Sequence, residues 1–233
     1  FVPLQAAGAA TLGERWLFDA GALVQDYQDL DSFDQLYLEG GARYQMTLGA
    51  WDSAAFVRLA YVSLNDEGVE QARMVGLQGR RRLSDPLHFA AEYRFEKIDG
   101  MNDFGGVGGD RHEIDARLTW QTTRWRADGG IRVASSDHDD SSLSARRTRV
   151  YSSVERAFTP LWSGGLEASF RQTRYRNEEQ GTDRQTEFSL VAKRTFGRQW
   201  QWVTRYSRTD NDSDLADFDY ERNLFSTAVE ASF

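Results

Sequence analysis

Residues 113–133 read EIDARLTWQTTRWRADGGIRV. Ile114, Ala116, Leu118 and Trp120 alternate with Glu113, Asp115, Arg117 and Thr119. After the polar turn QTT, Trp125, Ala127, Gly129, Ile131 and Val133 alternate with Arg126, Asp128 and Arg132. A period of two is that of a strand with one apolar and one polar face, and helical spacing fits neither half. The stretch is a β-hairpin. Other stretches repeat it. LYLEGGARYQMTL sets Leu36, Leu38, Ala42, Tyr44 and Met46 against Glu39 and Arg43. FAAEYRFEK sets Phe89, Ala91, Tyr93 and Phe95 against Glu92, Arg94 and Glu96.

The hairpins recur. Trp51, Leu87, Trp125, Trp162 and Trp200 are 36 to 38 residues apart, each opening a strand after a short turn. The opposite connections, such as SSDHDDSSLSA and TDNDSDLADFD, are longer and acidic. A propeller blade would need four short strands per repeat, whereas this repeat holds two long ones. Long loops at one end and short turns at the other predict an up-and-down antiparallel β-barrel. The expectation is all-β, about 12 strands over residues 13–233, with both termini periplasmic. Residues 1–12 are expected to be an N-terminal linker or short periplasmic segment, and FVPLQAAGAATLGE has no basic start of an intact signal peptide.

Composition narrows the function. Among 233 residues there is no cysteine, which excludes disulfides and thiolate chemistry, and only three histidines. A net charge of −8 argues against nucleic acid held on a basic face. No apolar run approaches the ~20 residues a membrane helix needs, but a transmembrane barrel spreads its apolar residues over every second position. A soluble barrel this wide would be hard to fill with apolar side chains. The expected environment is therefore the bacterial outer membrane. Trp51, Trp125, Trp162 and Trp200 then form an aromatic girdle at the short-turn interface.

With the apolar face toward lipid, the polar face lines the lumen. Arg43, Arg80, Arg117 and Lys193 recur at one place in the repeat, with Glu155 where the series skips, and Arg58, Arg94 and Arg132 recur at another. Asp19, Glu39, Glu92, Glu96, Asp115, Asp128, Glu167, Glu187 and Glu230 share the lining with Arg171 and Arg205. Two readings stand. The charges form a selectivity lining across a water path, or they pair into a network that plugs and rigidifies the barrel.

The last strand, FSTAVEASF at residues 225–233, alternates and closes on Phe233. It resembles the C-terminal signal of bacterial outer-membrane β-barrels, which implies recognition of Phe233 by the barrel-insertion machinery. TDNDSDLADFDYERN at 209–223 and LGERWLFDAGALVQDYQDLDSFDQL near the start resemble barrels attached to tetratricopeptide repeats. Those families are the surface-lipoprotein assembly modifiers and polysaccharide-export porins. The resemblance implies the membrane half of an export or assembly system, with a periplasmic helical-repeat domain as partner.

The acidic loops are read as solvated surface, with lipopolysaccharide phosphates bridged by divalent cations as a second reading. Asp210, Asp212 and Asp214 are candidate oxygen ligands for Ca²⁺, although the Gly turn and distal Glu of a calcium loop are missing. His112 beside Asp110, and His138 between Asp137 and Asp139, are the rim histidines, and no G-x-S-x-G motif accompanies them. No enzymatic activity, cofactor or metal is expected. Three functions remain: an export or assembly channel, a stand-alone diffusion porin, or a membrane anchor with a charge-plugged lumen. Fold alone does not separate them.

Overall fold

The computed structural model describes residues 2–12, 15–26, 35–64, 67–177, 179, 181–196 and 200–231. Among them are thirteen strands: β1 Val2–Leu12, β2 Trp16–Asp26, β3 Gln35–Leu48, β4 Trp51–Leu64, β5 Glu67–Arg82, β6 Leu87–Gly100 and β7 Gly109–Gln121. There follow β8 Trp125–His138, β9 Ala145–Ala157, β10 Trp162–Tyr175, β11 Thr182–Phe196, β12 Trp200–Ser213 and β13 Tyr220–Ala231. They make one sheet in sequence order, each strand beside the next. This is up-and-down topology throughout.

Strand number departs from the expected twelve because residues 2–12 are not a linker. They pair with β2 through eleven consecutive partners, from Val2 opposite Asp26 to Leu12 opposite Trp16. QAAGAA has no alternation and is rich in residues depleted from strands, so no face pattern announces it. Backbone pairing along the edge of β2 needs no such pattern. Val2 thus lies where the long β2–β3 connection leaves, whereas Ala231 pairs with Trp200 at the short-turn end. Ser232 and Phe233, and with them the insertion signal, lie outside the described residues.

The chain packs as two compact units. The first comprises Phe1–Arg81, Ala91–Ile114 and Ala134–Ala145. Its ladder from β1 to β5 is continuous, with a bulge between Val62 and Ser63. Phe56 faces Arg43 on β3 and Gly76 on β5. A Cβ at Gly76 would strike the Phe56 ring and the Tyr93 carbonyl, so only glycine leaves room for both there. In the second unit, Arg82–Ala90, Asp115–Val133 and Arg146–Phe233, Tyr151 lies against Gly130 in the same manner. Its ladders from β10 to β13 are regular.

Burial is inverted relative to a water-soluble sheet. In the first unit Val57, Leu59, Val75 and Leu77 are 50 to 59% exposed, while the buried residues include Ala54, Ala72 and Glu113. In the second, Leu166, Phe170, Phe188, Leu190, Phe225 and Val229 are exposed, while Ser189, Ser207 and Thr209 are buried. Each unit presents large apolar side chains outward over far more surface than an isolated patch on a soluble monomer.

Candidate functional site

Charged side chains collect on the opposite face of each unit, because every second residue of its strands points there. In the first unit Arg58 of β4 reaches Glu39 on the adjacent β3 at 3.9 Å and Asp19 on β2, one strand further along, at 3.3 Å. The Tyr37 hydroxyl donates to Glu39 at 3.2 Å. Arg94 donates to Glu113 and lies 3.5 Å from Glu92. Arg111 donates to the other oxygen of Glu113 at 2.9 Å and lies 3.8 Å from Glu96. Glu113 is 4% exposed, and two guanidiniums offset the cost of burying its charge. A cavity of about 140 Å³ opens beside this group, lined by Tyr37, Glu39, Arg58, Met74, Arg94 and Glu96.

Two basic residues of the first unit stand apart from these pairs. Arg43 lies over the Phe56 ring, and its buried Nε has no hydrogen-bond partner. Arg80 is opposite Asp52 in the ladder, with no carboxylate within 4.0 Å among the described residues.

In the second unit Asp115 accepts from Arg132 Nε at 2.8 Å and from the Tyr151 hydroxyl at 2.9 Å. Asp128 accepts from Arg126 at 2.8 Å and from Thr119 at 2.6 Å. Glu155 accepts from Lys193 at 2.8 Å and from Ser163 at 2.7 Å. Glu167 takes both Arg205 terminal nitrogens, at 2.5 and 3.1 Å. Both of these last pairs span from one strand to the second strand along. The residues are 38 apart, so the repeat itself brings them level. Arg171 and Glu230 are exposed, with no ion pair among the described residues.

Alternation had already placed Glu113 and Asp115 on the polar face. It did not single out Glu113, Arg111, Arg149 or Tyr151 as functional candidates, because none sits at the recurring basic place. The partner sets of these residues come from strand register, which no single strand's pattern contains.

The four tryptophans of the repeat stand on the apolar face. Trp125, Trp162 and Trp200 are 38, 38 and 44% exposed, and Trp51 shares the face of Ser53 and Gly79. Arg156 lies 5.0 Å from the Trp125 ring and Arg194 5.3 Å from that of Trp162. Such cation–π contacts let a guanidinium sit at an apolar surface while its head reaches polar surroundings.

The rim histidines each make a hydrogen bond. His112 bonds the Tyr93 hydroxyl at 2.9 Å rather than Asp110, and His138 bonds the Val107 carbonyl at 2.7 Å. Asp210 and Asp212 follow the strand alternation on one face, roughly 6.6 Å apart. Arg184 already stands 3.5 Å from Asp212 and 3.8 Å from Asp214. Among the described residues no group of three or more acidic or histidine side chains converges on a metal position.

Solved structures share this architecture. The loop L8 deletion mutant of OmpT, an outer membrane protein of Vibrio cholerae, superposes with a TM-score of 0.62 at 9% identity over 99% of this chain and 90% of that one. OprD of Pseudomonas aeruginosa gives 0.59 at 10% identity, over 97% and 69%. A bacterial polysaccharide outer membrane secretin gives 0.57 at 10%, over 98% and 89%. The sheet is built like those of outer-membrane barrels. No protein family description matches the chain, and no curated protein sequence matches it.

Proposed function

We propose that the chain is a bacterial outer-membrane channel whose sheet closes into a barrel around a narrow, charge-lined water path. The observation that carries this reading is the two-faced sheet. Large apolar side chains are exposed on one face, and paired charges line the other. Only lipid on one side and water on the other satisfies both faces. A path between the paired charges has the small cross-section of a constricted pore, and each arginine and carboxylate along it faces passing ions.

The resemblance to tetratricopeptide-linked barrels supports a place as the membrane half of an export or assembly system. A periplasmic helical-repeat domain, the barrel-insertion machinery, lipid and lipopolysaccharide are the partners of that reading. It assigns no catalytic step. The test is planar-bilayer conductance of the refolded chain in KCl. The constricted channel gives small, steady currents and excludes large solutes. High conductance overturns the constriction. Currents at the noise level favour the plugged anchor, a reading that the strand-spanning pairs Glu155–Lys193 and Glu167–Arg205 also support.

A further inference from the structure

In the second unit a cavity of about 320 Å³ opens on the charged face, between β7 and β11. Arg117, Arg126, Arg132 and Arg149 line it, with Asp128, Glu167 and Glu187. Most of these charges are already matched. Arg126 is held by Asp128, Arg132 by Asp115, and Glu167 by Arg205. Two guanidiniums are held less closely. Arg117 is exposed and has no carboxylate within 4.0 Å among the described residues. Arg149 donates to the Ser169 hydroxyl at 3.1 Å, and its nearest carboxylate, Glu187, is 4.0 Å away.

We propose that this cavity is a binding subsite for a small oxyanion, a carboxylate or phosphate group, held between Arg117 and Arg149. Each guanidinium offers parallel N–H donors that match two oxygens of such a group. Hydroxyls of Ser153, Ser169 and Ser189 lie in the same wall and supply further hydrogen-bond partners. The neighbouring pairs matter as much. Because Asp128, Asp115 and Glu167 are committed to other arginines, their negative charge is neutralised where the anion enters. A wall of fully paired charges would repel or ignore an anion, whereas this one leaves an excess of positive charge at one place.

The inference rests on the channel reading in that this face must be open to water, but its test does not require ion flow. Isothermal titration of the folded chain in detergent, at constant ionic strength, measures binding of inorganic phosphate and, separately, of glycolate. The expected result is saturable binding of at least one of them in the millimolar range. Arg117→Gln weakens it by about tenfold or more, and Arg117→Lys restores part of the loss. Heat-modifiable gel mobility confirms that each variant is folded. Binding of phosphate alone assigns the subsite to phosphate groups, and binding of glycolate alone to carboxylates. Absence of saturable binding overturns the proposal. So does equal binding by wild type and Arg117→Gln, or full competition by chloride at equal ionic strength. A chain that binds but does not conduct would retain the subsite and lose the channel.

Discussion

The guanidinium of Arg43 stands 5.9 Å from the centre of the Phe56 ring, and the Cζ end of that ring sits against Gly76 on the next strand. Three strands are thereby locked at one level by a cation, a ring and a missing side chain. Gly76→Val forces the ring away and uncovers the Arg43 head. The expected cost is about 1–3 kcal/mol, the usual range for overpacking. Urea unfolding of the chain in lipid vesicles checks it, and an unchanged midpoint would show that the ring can move freely.

Arg94 holds Glu113 together with Arg111, and also faces Glu92. Arg94→Ala leaves these carboxylates with less positive charge around them. The expected outcome is a wider path and a shift of reversal potential toward cation preference in a KCl gradient. Adding Glu113→Gln should move selectivity back toward wild type. No change on the first substitution would place Arg94 away from the ion path.

Lys193 and Glu155 are about one-third exposed, at 31 and 37%. Exposed pairs contribute about 0–1 kcal/mol, so Glu155→Gln should barely alter stability. Its effect belongs to selectivity. The freed ammonium should favour anions, read from the same reversal potential. A large loss of stability would instead mean that the pair is shielded from water.

Asp140 caps the short 3₁₀ turn Ser141–Leu143, its carboxylate accepting from the Ser142 amide at 2.9 Å. The side-chain and backbone hydrogen bonds from Ser142 hold this carboxyl below its usual range. A lowered folded-state value contributes order that is complete above the ordinary carboxylate value and lost as pH falls through the lowered one. The β8–β9 connection should therefore loosen as pH falls below the ordinary carboxylate range. Amide hydrogen exchange at Ser142 measures this, and Asp140→Ala should remove the acid dependence.

Most strands were legible because one face of the sheet is apolar and the other charged, which writes period two into β3, β6, β7 and β8. The spacing of Trp51, Trp125, Trp162 and Trp200 marked the short turns for the same reason. β1 was not legible, since a segment such as QAAGAA leaves no contrast between faces. The candidate site was half legible. Which arginines share the charged face follows from alternation. Which carboxylate each one reaches depends on stagger between strands, so Glu113 with its two arginines and Arg126 with Asp128 emerged only from the fold.

The pairs that skip a strand have a consequence for assembly. When a hairpin zips one residue out of step, every apolar side chain turns to the charged face, and the error corrects itself. A slip of two residues restores each side chain to its proper medium and goes unpunished by hydrophobicity. Glu155 with Lys193, and Glu167 with Arg205, are sensitive to that second kind of mistake. A two-residue slip on any of the strands they straddle carries the charges about 7 Å apart. They act as a proofreading mark, distinguishing the correct sheet from neighbours that greasy and polar faces alone would accept.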